Sequence, residues 1–141
     1  MSEDQAQKLL YQIQTLETYF ADLIQKENTL VNVLREAKSA IESIMSLSEK
    51  LESDTLMPIG MGAYIKTKII SNQKIALNVG SGIMIEKNKT NAINYLESRI
   101  KEIELALKNT SIQKQDIAIK LEQGKQEINR LTQASQKTNT K

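Results

Sequence analysis

Starting at Leu9 and stepping alternately by four and three residues, the chain meets Leu9, Ile13, Leu16, Phe20, Leu23, Glu27, Leu30, Leu34, Ala37, Ile41, Ile44, Ser48 and Leu51, and eleven of these thirteen positions are apolar. A stripe that repeats every seven residues drifts around a straight α-helix, so it stays against a partner only if two helices wind about each other with a left-handed supercoil. A second stripe runs through Ile93, Leu96, Ile100, Ile103, Leu107, Thr110, Lys114, Ile117, Leu121, Gly124, Ile128 and Leu131. Each stripe covers a stretch of roughly 60 Å at about 1.5 Å per residue. Matched lengths joined by a short insert predict one chain folded back on itself as an antiparallel coiled coil. Pro58 bars the first helix from continuing much past Asp54, and Asn88 or Thr90 fits the N-cap of the second.

The expected organisation is therefore a first helix over 1–54, an insert over 55–88 and a second helix over 89–141. Beyond Leu131 the sequence TQASQKTNTK loses the stripe and reads as a disordered tail. If Leu51 faces Ile93 across the pair, Phe20 falls opposite Gly124, the largest seam residue against the smallest. In the same register Glu27 and Lys114, the two charges in the seams, lie one layer apart. Sliding the helices would strand each charge, so the two read as a register pair, the alternative being that both long side chains reach past the seam to solvent. The chain's charge is divided to suit this pairing: residues 1–56 carry 5 basic and 10 acidic side chains, residues 57–141 carry 14 and 7.

The insert has a different period. Four strands are expected, over Leu56 to Ile59, Ala63 to Ile70, Lys74 to Val79 and Ile83 to Lys87, with Gly60 and Gly62 in one turn and Gly80 and Gly82 in the other. Ile59, Ile65, Ile69, Ile75, Leu77, Val79, Ile83 and Ile85 give two hairpins an apolar side each. GMG and GSG lack the spacing of a phosphate-binding loop, so the glycines read as turn residues. A lone hairpin is marginal in water and leaves open edges, so the insert is expected to be an oligomerisation module, completed by neighbouring subunits.

Composition narrows the function. No cysteine and no histidine are present, which removes thiolate chemistry, the commonest zinc ligands and the commonest general base, so neither an enzyme nor a metal or other cofactor is expected. A formal net charge of +2 and an aromatic content of 4% argue against nucleic acid as a partner. No apolar run approaches the about 20 residues that span a bilayer, and a soluble, cytoplasmic protein with no membrane partner is expected.

The order helix, double hairpin, helix, together with MPIGMGAYIKTKI and IALNVGSGIMIEKN in the strand region, resembles the alpha class of prefoldin subunits over almost the whole chain. Beta-class subunits of that family carry a single hairpin. The resemblance implies a cytoplasmic hexamer of two alpha and four beta-type subunits, its strands forming a double β-barrel platform with six coiled-coil arms. It also implies ATP-independent capture of unfolded polypeptides at the arm tips and their transfer to a group II chaperonin.

Candidate client-binding residues at the tips are Leu9, Leu10, Tyr11, Ile13 and Leu16 on the first helix and Ile128 and Leu131 on the second. Leu105, Ile112 and Ile119 form a further stripe opposite the seam, fit to line a cavity, to touch a neighbour or to be ordinary surface. The competing reading is a coiled-coil scaffold or tether that assembles through its hairpins without chaperone activity.

Overall fold

The computed structural model describes residues 2–47, 52–70 and 73–139. Helix α1 spans Ser2–Ser46, strands β1 (Glu52–Gly60), β2 (Ala63–Ile70), β3 (Ile75–Asn78) and β4 (Met84–Lys87) follow, and helix α2 spans Lys89–Asn139. The chain divides into two compact units, Met1–Asn32 with Glu104–Lys141, and Val33–Ile103.

In the first unit α1 and α2 pack through the expected stripes. Ile13, Leu23, Ile117 and Leu121 are buried, with Leu9, Leu16, Phe20 and Ile128 packed against them. Thr110 is also buried, and its hydroxyl donates to the Ala106 carbonyl at 2.7 Å, so the polar group within the seam is satisfied inside its own helix. The register differs from expectation by one heptad. A Cβ placed on Gly124 would lie 3.0 Å from Cγ1 of Ile13, so the glycine faces Ile13 and not Phe20.

In the second unit the first helix ends earlier than expected. α1 stops at Ser46, well short of Asp54, and residues 52–54 already belong to β1, where Glu52 pairs with Ile70 and Asp54 with Lys68. Ile44, seven residues before Leu51, therefore takes the place opposite Ile93, packing with Leu77 and Ala92 in a second core. Ser48 and Leu51 lie outside the described residues. The helix end is closed by Leu47 N–H donating to the Ile44 carbonyl at 3.2 Å and the Ser46 hydroxyl donating to Ser43 at 2.7 Å. Since α1 has no basic residue in its last turn, the Lys89 ammonium, at the start of α2, donates to the Leu47 carbonyl at 3.0 Å. A cation there complements the negative end of the α1 dipole.

Asn88 is the N-cap of α2: its side-chain oxygen accepts from the Asn91 N–H at 2.8 Å. At the other end α2 runs on through the segment expected to be disordered, as far as Asn139. Loss of the apolar stripe does not by itself break a helix when the segment holds no Gly or Pro and half of it is Gln, Ala and Lys.

Each hairpin is its own two-stranded antiparallel sheet. Their turns are near copies, with φ of 118°, 49° and 77° at Gly60, Met61 and Gly62 and of 111°, 54° and 76° at Gly80, Ser81 and Gly82. The left-handed conformations explain the paired glycines. Asn78 ties down the second turn, its side-chain oxygen accepting from Gly80 N–H at 3.0 Å.

The Ile13–Gly124 contact leaves no room for a branched side chain. Gly124→Leu is expected to destabilise the protein by about 1–3 kcal/mol, and Ile13→Ala in the same chain to recover much of that loss. Phe20→Ala should give no such recovery, a comparison readable from thermal melts followed by circular dichroism.

Candidate functional site

The open end of the first unit, where α1 begins and α2 ends, sorts the seven tip residues into two groups. Ile13 is buried, and Leu9, Leu16 and Ile128 are half-buried against it as parts of the seam core. Leu131 is half-buried as well. Only Leu10 and Tyr11 are presented to solvent, 48% and 71% exposed. The seam residues hold the helices together and reach a partner only if the last turns part. Close by on α2, the Arg130 guanidinium donates twice to the Glu127 carboxylate and holds that carboxyl below its ordinary range.

Farther along the seam, the Lys114 ammonium donates to the Glu27 carboxylate at 3.0 Å, with both side chains roughly three-tenths exposed. The expected pair forms, yet in a register other than the one in which it was anticipated. With Gly124 facing Ile13, Lys114 falls level with Leu23 and Glu27 level with Thr110, again one layer apart. A one-heptad slide carries the lysine from one side of the glutamate to the other and leaves the pair intact. The pair is therefore compatible with both registers, and the Ile13–Gly124 fit distinguishes them.

The hairpins of the second unit divide in a way that strand alternation could not show. Ile75, Leu77 and Val79 of the β3–β4 hairpin pack on Ile44, Ala92, Ile93, Tyr95 and Leu96. Of these three residues, expected to meet a neighbouring subunit, Leu77 is buried within its own chain and Ile75 and Val79 are half-buried there. Ile83 and Ile85 stay exposed.

The β1–β2 hairpin is open on both faces. One face carries Met57 opposite Ile65, with Ile69 half-buried beyond them; the other carries Leu56 opposite Lys66 and Pro58 opposite Tyr64. Ile59 at the bulge and Met61 at the apex are also exposed. Leu56, Met57, Met61 and Tyr64 were not singled out from the sequence, since alternation selects one face of a strand and these fall largely on the other or in the turn. Leu105, Ile112 and Ile119 lie exposed as their spacing opposite the seam requires. Among the described residues no group of acidic side chains is placed to hold a metal ion, and no helix is long and apolar enough to cross a membrane.

Two heptad-patterned helices with two β-hairpins between them in sequence define a coiled-coil protein of the helix, double hairpin, helix class. The family model described as Prefoldin subunit matches residues 2–139, and the chain belongs to the prefoldin family. It is 59% identical over 138 residues to prefoldin subunit alpha of Nitrosopumilus maritimus, covering 98% of this chain and 95% of that one. To prefoldin subunit alpha of Methanospirillum hungatei it is 33% identical over 135 residues, covering 89% and 91%.

Among solved structures, the prefoldin beta subunit from Thermococcus strain KS-1 superposes with a TM-score of 0.64 at 20% identity, over 89% of this chain and 90% of the other. Filamentous PFD from Methanocaldococcus jannaschii gives 0.50 at 23%, over 85% and 95%. At these identities the likeness speaks for the fold alone.

The partly screened Glu27–Lys114 pair should show a modest coupling, about 0.5–1 kcal/mol in a double-mutant cycle of Glu27→Ala and Lys114→Ala. Chemical denaturation of the two single variants and the double variant measures it. A coupling near zero would leave the pair no part in specifying the seam.

Proposed function

We propose that the chain works as the alpha-type subunit of an ATP-independent chaperone that holds unfolded polypeptides. The observation that carries this reading is the β1–β2 hairpin. Leu56, Met57, Ile59, Met61, Tyr64 and Ile65 are all exposed on an element with two open edges. An apolar two-stranded ribbon of that kind is not stable in water by itself and gains its burial from other chains. Beta-type prefoldin subunits, in a hexamer with two copies of this chain and four of the partner, are the proposed neighbours.

Leu10 and Tyr11 at the open end of the first unit are the proposed client contacts. Full burial of a large apolar side chain is worth roughly 1.5–3 kcal/mol. One helix pair thus grips weakly, and several acting together hold a client while leaving release possible. A group II chaperonin is the proposed acceptor of the client and the cytoplasm the proposed location. No catalytic step is proposed: holding and release need only apolar surface.

Two variants separate assembly from capture. Tyr64→Lys with Leu56→Glu is expected to abolish the hexamer, seen as loss of the assembled mass when the chain is mixed with a beta-type subunit. Leu10→Ser with Tyr11→Ser should leave the assembled mass unchanged while weakening, by at least about tenfold, the suppression of aggregation of chemically unfolded rhodanese without ATP. An assembled wild-type complex with no effect on that aggregation would instead favour a scaffold without holding activity.

A further inference from the structure

The reactive chemistry that the fold leaves unused lies in the methionines. The chain has five of them and no cysteine, so thioethers are its most readily oxidised side chains. Met1 lies outside the described residues. Met45, Met57, Met61 and Met84 all fall in the second unit and all are exposed, Met61 entirely so at its turn apex. None of these four is part of either buried core, and the seam of the first unit is filled with leucine, isoleucine and phenylalanine.

The four stand in different surroundings. On the β1–β2 hairpin Met57 pairs with Ile65 and Thr55 with Thr67, and Ile69 lies farther along the same face. Among the described residues that face carries no formal charge. The opposite face carries Glu52, Asp54, Lys66 and Lys68, with the Lys68 ammonium donating to the Glu52 carboxylate at 3.3 Å. A neighbour covering the Met57 face strips water from no ion, whereas one covering the other face must desolvate or match several. Met84 is paired with Asn78 on the side of β4 that bears Glu86, Met45 follows the buried Ile44 on α1, and Met61 occupies a turn. Met57 alone of the four is paired across a strand ladder with an apolar residue on an uncharged face.

We propose that Met57 is a peroxide-sensitive modification site that controls entry of the free chain into its assembly. The inference rests on the assembly reading above and adds a chemical condition to it. The thioether sulfur attacks the terminal oxygen of a hydroperoxide. An S–O bond forms as the O–O bond breaks, the sulfur gives up an electron pair, and the hydroperoxide proton leaves on the alcohol, or on water when the oxidant is hydrogen peroxide. The sulfoxide oxygen is a strong acceptor where the thioether was a weak one. Covering it with an apolar neighbour removes its water and supplies no donor, while the unmodified thioether gains from the same burial. A neighbour already in place shields the sulfur, so the site acts on unassembled chains and spares assembled ones.

The test treats the full chain with hydrogen peroxide before mixing it with a beta-type subunit. Peptide mass spectrometry locates the sulfoxides, and native mass measurement over a range of concentrations reads assembly. Oxidation is expected to weaken assembly of the wild type at least about tenfold, and methionine sulfoxide reductases A and B with dithiothreitol to restore it. Met57→Leu, which conserves volume, should assemble like the untreated wild type before and after peroxide. A chain with Met45→Leu, Met61→Leu and Met84→Leu should stay sensitive. Met57→Gln, which puts an amide oxygen near the place of the sulfoxide oxygen, should weaken assembly without any oxidant and serves if the leucine disturbs the hairpin.

Undiminished assembly of a chain carrying sulfoxide at Met57, or a Met57→Leu chain as sensitive as the wild type, would overturn the site. Oxidation of Met57 as fast in the complex as in the free chain would overturn it as well. Failure of the untreated wild type to assemble with the beta-type subunit would instead overturn the assembly reading on which the site rests.

Discussion

The packing of Ile44 and Leu77 on Ala92 is the contact on which the second unit depends, since it brings the last turns of α1, the first turn of α2 and β3 together. Ala92 is wholly buried at the first turn of α2, and only a methyl group leaves space there for the last turns of α1 and for β3 together. In the first unit the Ile13–Gly124 fit does the corresponding work for the seam, because two seven-residue repeats can move past each other only in whole heptads without burying polar residues.

That junction is also where electrostatics and backbone chemistry meet. The Lys89 ammonium bonds to the exposed carbonyl end of α1, while Asn88 caps α2 one residue earlier. A lysine at the beginning of a helix opposes its own dipole, so its placement here makes sense only as a service to the neighbouring helix end. With both termini fixed, the β3–β4 hairpin has a firm apolar base. The β1–β2 hairpin has none. The two near-identical turns thus carry ribbons in different surroundings, one seated on the chain's own helices and one exposed.

Exposed apolar surface in the first unit follows a similar division of labour. Leu9, Ile13, Leu16, Ile128 and Leu131 belong to the seam, and using them for binding would cost the cohesion of the helix pair. Leu10, Tyr11, Ile24 and Val31 stand exposed beside the seam and carry no such burden.

The amino-acid sequence by itself determined the two helices, most of the seam residues, the glycine turns and the proximity of Glu27 to Lys114, and it narrowed the α2 cap to Asn88 or Thr90. All of these follow from short-range periodicity and the conformational limits of particular residues. It could not say where α1 stops, because 47–54 suits either a fraying helix or a strand and the choice turns on pairing with β2, a contact distant in sequence. That uncertainty passed directly into the register, since a heptad pattern is indifferent to a slide of one repeat and the Glu27–Lys114 pair survives it. Tertiary structure alone decided which glycine neighbour, which hairpin face and which tip side chains are spent on the chain's own core, because burial depends on what arrives from elsewhere in the fold.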